Sequence, residues 1–343
     1  MKITTKAALA ASLTSLLAAT ACSAAGSSAE DDANTIHIVG FAVPEAANKN
    51  LAAEFTKTEE GKDVEFETSY GPSGDQSRAV EAGLEADYVH FSVPTDVTRL
   101  VDAGLVADSW DDGENKGVVS TSVVVFGVRE GNPKGIETWD DLIKPDVEIV
   151  TPNPASSGAA RWNALAAYGQ VISSGGTEKE AEEYVDKFFE NVVSLPSSGR
   201  DATTAFLGGT GDVLMAYENE AILAAQNGEG FEYIIPETSL KIENAGAVLE
   251  KASKPSQAWL DFALSDEGQK QFALTGFRPI RDDVDFGGTV EGAKDPADPF
   301  PTVPTLLTVD EDFGGWEEVS TTFFDEEDGL VMKAIVAAGH SLE

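Results

Sequence analysis

The chain has 343 residues, 42% apolar and 24% charged, which suits about two domains with a buried core and excludes disorder throughout. Its 23 Lys and Arg stand against 60 Asp and Glu, and the formal charge of −37 argues against nucleic acid or an anionic membrane surface as a partner. One cysteine, Cys22, and three scattered histidines, His37, His90 and His340, exclude a disulfide framework and argue against a Cys/His metal cluster.

Lys2 and Lys6 precede Ala7–Ala19, an uncharged apolar stretch too short to remain across a bilayer, so residues 1–21 read as an export signal. Ala18-Ala19-Thr20-Ala21 leads into Cys22, and this junction resembles the lipobox of bacterial lipoproteins, although Ala19 stands where leucine is usual and Leu16 and Leu17 lie further back. A lipidated Cys22 is expected; plain secretion through the Ala19-Thr20-Ala21 site is the alternative. Residues 22–33 then form the modified cysteine and a tether without apolar period. Acyl chains, at about 0.8 kcal/mol per buried CH₂, would hold the protein at the outer face of the cell membrane, its only membrane contact.

From Ile36 onward short β-branched runs alternate with amphipathic segments. Strands are expected at Ile36–Val43, Val64–Ser69, Tyr88–Val93 and Val118–Val128, with helices at Ala46–Lys57, Gln76–Leu84 and Thr95–Ala103 between or after them. Further on, strands at Val147–Val150, Val192–Leu195, Asp212–Ala216, Tyr233–Ile235 and Ala245–Leu249 accompany helices at Arg161–Ser173, Glu178–Phe189 and Gln257–Leu264. In Glu178–Phe189 the residues Ala181, Tyr184, Val185, Phe188 and Phe189 share one face. Strand followed by helix, repeated over this length, predicts an α/β protein in two lobes with mostly parallel strands.

Catalytic signals are weak. No Gly-x-Ser-x-Gly occurs and no base is evident near any serine. Gly208-Gly209-Thr210-Gly211 lies between a helix and a strand, the wrong order for a dinucleotide loop, and reads as a turn. Asp283-Val284-Asp285 opens like a calcium loop, but Lys294 stands at the twelfth position.

Three other segments share one design: Gly71-Pro72-Ser73-Gly74-Asp75-Gln76, Pro154-Ala155-Ser156-Ser157-Gly158-Ala159-Ala160-Arg161, and Leu195-Pro196-Ser197-Ser198-Gly199-Arg200-Asp201. Each follows a strand, opens a helix, and puts small hydroxyl-bearing residues where free N–H groups and the positive end of the helix dipole point outward. One alone would be an ordinary serine cap. Three at strand C-termini favour an anion site in the crevice of an α/β fold.

At these motifs the chain resembles the periplasmic sulfate-binding proteins, receptors of sulfate/thiosulfate ABC transporters. The resemblance runs from about Ile36 to Trp316 and includes Ser69–Gly74, Ile149–Pro154 through Asn163, Gly211–Glu220, Phe277-Arg278-Pro279 and Phe313-Gly314-Gly315-Trp316. It implies a type II periplasmic-binding-protein fold: lobe one from 34–118 plus 237–343, lobe two from 119–236, and the ligand cleft between them. It further implies an anion held by Ser73, by Ser157 with the N–H groups of Gly158 and Ala159, and by the Gly199 N–H. The family's indole position falls on Tyr217, and the first-loop contact falls on the Glu45 N–H, because Pro44 beside it has no hydrogen to give. Around the site the resemblance sets Asp96 of lobe one near Arg161 of lobe two, with Arg200 beside them.

Sulfate only accepts hydrogen bonds, so a buried site of donors alone suits it. Hydrogenphosphate would leave its own proton unpaired there, at about 1–3 kcal/mol. Tyr217 qualifies that selectivity, since a phenol donates and also accepts where an indole only donates. Asp75 and Asp201, beside two of the loops, are the other conceivable acceptors. The expectation is therefore a monomeric, non-enzymatic receptor for sulfate or thiosulfate, without metal or cofactor, delivering to an ABC permease. Another tetrahedral oxyanion (phosphate, molybdate or tungstate) is the alternative, and a secreted serine hydrolase a remote one.

Overall fold

The computed structural model describes residues 34–342, so the export signal, Cys22 and the tether lie outside the described residues. The chain begins with β1 (Thr35–Phe41), α1 (Glu45–Phe55), β2 (Glu65–Gly71), α2 (Ser73–Glu81), β3 (Tyr88–Phe91), α3 (Pro94–Asp102) and β4 (Val118–Val128). It continues through α4 (Trp139–Leu142), β5 (Ile149–Val150), α5 (Gly158–Ser173), α6 (Glu178–Glu190), β6 (Val192–Ser194), α7 (Gly199–Leu207), β7 (Val213–Tyr217), α8 (Glu218–Gln226) and β8 (Glu232–Ile234). Last come β9 (Thr238–Val248), α9 (Ser256–Leu264), α10 (Asp266–Leu274), β10 (Thr305–Leu307), α11 (Val309–Phe313), α12 (Trp316–Phe324) and α13 (Leu330–Ala337).

Two parallel groups carry the architecture. β1 pairs in parallel with β2 and β3, and β5 in parallel with β6 and β7. Two long antiparallel strands join the groups. β9 lies against β3 through Ala245–Val248, and β4 lies on β9 through Val118–Val123 before passing to β7 through Val124–Val128. The strand path is β2-β1-β3-β9-β4-β7-β5-β6, with β10 on β9 and β8 on β4. This is the mixed α/β arrangement expected, and its two parallel groups give two clusters of strand C-termini that face one another.

Local chemistry explains the elements. β4 is valine-rich and buried at every residue after Val118, as a strand covered on both faces requires. α6 starts in a capping box of Thr177 and Glu180, and its five expected face residues are the buried ones. β9 begins seven residues before the expected Ala245, because its first half mixes buried Ser239 and Asn244 with a half-buried Lys241–Glu243 pair and so hides its period. α2 and α5 begin at Ser73 and Gly158, three residues earlier than expected, since the small motif residues themselves form the first turn.

The stretch 237–343 divides in its packing. β9, α9 and α10 lie with β3 and α1, whereas Val290 and Val303 join Phe206, Ile222 and Tyr233 in one core. α13 lies on α6, and Tyr168 of α5 meets Phe323 of α12 edge-on at 4.9 Å. The chain thus crosses once more to the β5–β7 half after α10. No described helix is long and apolar enough to cross a membrane.

Candidate functional site

Six loops meet where the two sets of strand C-termini face each other: those after β1, β2, β3, β5, β6 and β7. Their approach is close. The Gly74 N–H of α2 donates to the Ser156 carbonyl before α5 at 3.0 Å. A Cβ on Gly158 would sit 2.5 Å from Ser92 Oγ, so only glycine admits the β3 loop there. A Cβ on Gly199 would lie 3.2 Å from Val43 Cγ2 and 3.3 Å from the Ala159 methyl, which brings the N-termini of α1, α5 and α7 to one point.

Ser157 caps α5 in extended geometry, yet its side chain makes no capping bond, and its N–H donates to the Asn153 carbonyl at 2.8 Å. The residue is 3% exposed. Its hydroxyl and the N–H groups of Gly158 and Ala159, which begin the helix and have no carbonyl one turn back, form a cluster of buried donors at the positive end of the 16-residue α5. Gly199 occupies the same place in α7, whose cap Ser198 accepts from the Asp201 N–H. Asp201 also accepts from the Ser197 and Ser198 hydroxyls, and Asp75 pairs with Arg78, so both carboxylates are engaged by their own helices.

Ser73 is buried at the start of α2. It donates to Asp96 Oδ2 at 2.6 Å and accepts from the Ser92 N–H at 2.9 Å. Burial raises the Asp96 carboxyl above its ordinary range, against the pull of Arg161, Ser73, Arg99 and Arg78. Burial likewise lowers Arg161, against the pull of Asp96. The expected Asp96–Arg161 pair acts through charge alone: the carboxylate takes the Ser73 hydrogen, while Arg161 Nε donates to the Pro154 carbonyl at 3.2 Å and the guanidinium stands over the Phe324 ring. Arg200 grips Glu220 with two nitrogens at 2.9 and 2.7 Å and reaches the Val43 carbonyl at 3.3 Å. Burial opposes its charge, but Glu220 more than offsets this and holds the guanidinium above its usual value. The Glu45 N–H turns back to the Ala42 carbonyl at 3.4 Å, and its carboxylate is exposed.

Tyr217 caps α8, is 1% exposed, and has its hydroxyl 2.7 Å from Ser92 Oγ; burial pushes the phenol well above its ordinary value. Ser92 is the residue that sequence reasoning missed. Its carbonyl accepts from Trp162 Nε1 at 2.9 Å and Asn244 Nδ2 at 3.1 Å. The available signal was the same strand–hydroxyl–helix pattern, shortened to one serine ahead of Pro94. The structure thus brings Ser73, Ser157, Gly158, Ala159, Gly199 and Tyr217 to one place, with Asp96, Arg161 and Arg200 around them. It is a cluster of neutral donors at helix termini, and the arginines nearby are directed at carbonyls and carboxylates.

A fold of two α/β halves with anion-receptive helix ends between them defines a ligand-capturing protein, and the family described as "Bacterial extracellular solute-binding protein" matches residues 36–278. The chain belongs to that family. It is 41% identical over 303 residues to the sulfate-binding protein of Synechococcus elongatus, covering 85% of this chain and 84% of that one. It is 32% identical over 308 residues to the thiosulfate-binding protein of Escherichia coli K12, covering 86% and 88%. Among solved structures, the sulfate-binding protein SubI from Mycobacterium tuberculosis H37Rv superimposes with a TM-score of 0.80 at 41% identity, over 85% of this chain and all of that one. The periplasmic thiamin binding protein, at 13% identity and a TM-score of 0.65, shares the fold.

Proposed function

We propose that this protein is the extracytoplasmic receptor of a sulfate ABC transporter: it captures sulfate between its lobes, without catalysis, and hands it to the membrane permease. The observation that carries the reading is the meeting of the α5 and α7 N-termini around Ser157, Gly158, Ala159 and Gly199, donors alone, beside the Tyr217 hydroxyl. A desolvated dianion is costly. Charge-assisted bonds and helix dipoles offset that cost without a cation in contact. Ser73 acts through Ser92, because its hydrogen is committed to Asp96. The lobes are 34–118 plus 237–343 and 119–236, the stretch of the first after α10 reaching onto the second. Lipidated Cys22 tethers a monomer to the outer face of the membrane. Thiosulfate is the second reading, favoured by the thiosulfate-binding relatives. Titration calorimetry with sulfate, thiosulfate, phosphate and molybdate tests the proposal. Tightest binding of sulfate or thiosulfate is expected; a preference for molybdate, or no anion binding, would contradict it.

A further inference from the structure

Ser92 sits at the end of β3, fully buried, with every polar atom in use. Its carbonyl takes hydrogens from Trp162 on α5 and Asn244 on β9, and its N–H is fixed by Ser73, which is itself fixed by Asp96. The backbone is therefore pinned from both halves, and the Ser92 hydroxyl is held 2.7 Å from that of Tyr217. Each hydroxyl carries one hydrogen and two lone pairs. When Ser92 donates to Tyr217, the phenol hydrogen is left to point at a ligand. When Tyr217 donates to Ser92, a phenol lone pair is left instead. The first order presents a donor, suited to a fully ionised oxyanion; the second presents an acceptor, suited to one that carries a proton. The carboxylates that could have accepted such a proton are taken: Asp75 by Arg78, Asp201 by Ser197 and Ser198, and Asp96 by Ser73.

We propose that Ser92 is a specificity-determining residue of the anion site, holding the Tyr217 hydroxyl in a reversible pair that admits a monoprotonated tetrahedral oxyanion, hydrogenphosphate, beside fully ionised sulfate. The proposal rests on the receptor reading above and deepens it. Asn244 is the other side chain on the phenol, but its amide nitrogen only donates and its Oδ1 already accepts from Ser120, so without Ser92 the phenol hydrogen turns to the ligand and the phenol no longer receives a proton from one.

The test is calorimetric titration with sodium sulfate and with sodium phosphate, at a pH where phosphate is the monoprotonated dianion. Wild type, Ser92→Ala and Ser92→Cys are compared; cysteine keeps the volume but is a weak acceptor. Wild type should bind both anions. The ratio of phosphate to sulfate Kd should rise by about tenfold or more in both variants, as for one buried hydrogen left unpaired. An unchanged ratio in the variants, or no phosphate binding by wild type that does bind sulfate, would overturn the role of Ser92. Failure of wild type to bind either anion would overturn the receptor reading, and this proposal with it.

Discussion

Gly158→Ala tests whether the two lobes close on the ligand. The substitution keeps the Gly158 N–H, so no donor is lost. Its new methyl would lie 2.5 Å from Ser92 Oγ, 2.6 Å from Ser92 Cβ and 3.1 Å from Val93 Cγ1. Ser92 cannot yield easily, being tied to Ser73, Trp162 and Asn244. The β3 loop and the α5 terminus must therefore stand further apart, at the about 1–3 kcal/mol typical of overpacking. If that contact forms only when the lobes meet around the anion, the cost falls on binding, as a Kd raised by about 5- to 150-fold. Thermal unfolding without sulfate should be unchanged, because open lobes do not feel the methyl. Calorimetry and an unfolding scan measure the two quantities. Unchanged affinity together with a lowered unfolding temperature would show that the contact is permanent and not made by closure on the ligand.

Ser157→Ala should weaken sulfate binding by about 1.5–3 kcal/mol, the value of a hydrogen bond to a charged group, as measured by the same titration. Tyr217→Phe should lose a similar amount, about 1.5–3 kcal/mol, if the phenol donates directly to the anion; equal binding would leave Tyr217 a packing residue. Small-angle scattering should show a smaller radius of gyration on adding sulfate, and identical curves would contradict a hinged receptor. Cys22→Ser should move the protein from the detergent phase to the aqueous phase on phase partitioning, and retention in detergent would contradict the lipid anchor.

The parts of the site built from local sequence were legible, because strand, small hydroxyl residues and helix start follow one another within a few positions. Ser157, Gly158 and Gly199 could be placed that way, and the resemblance added Tyr217. Partners supplied by distant loops were hidden. Glu220, which occupies Arg200, comes from the next strand–helix junction, and Asp96 meets Ser73 from another helix rather than Arg161 from the opposite half. Ser92 escaped notice because its strand–hydroxyl–helix pattern is cut to a single serine ahead of Pro94, without the glycine that marks the other loops. The C-terminal crossing was likewise invisible: residues 279–304 hold no regular element, and α11 spans five residues, too few to show an amphipathic period. Expected edges moved where polar or small residues interrupted the pattern, as in β9 and α2, and also within apolar runs, where β1 stops at Phe41 and β5 starts at Ile149.

Anomalous diffraction from crystals grown with selenate, a sulfate isostere, locates the anion directly. A peak is expected within hydrogen-bond distance of Ser157 Oγ and the N–H groups of Gly158, Ala159 and Gly199, with no lysine or arginine nitrogen in contact. A peak seated against the Arg161 or Arg200 guanidinium, away from the α5 and α7 termini, would contradict this placement.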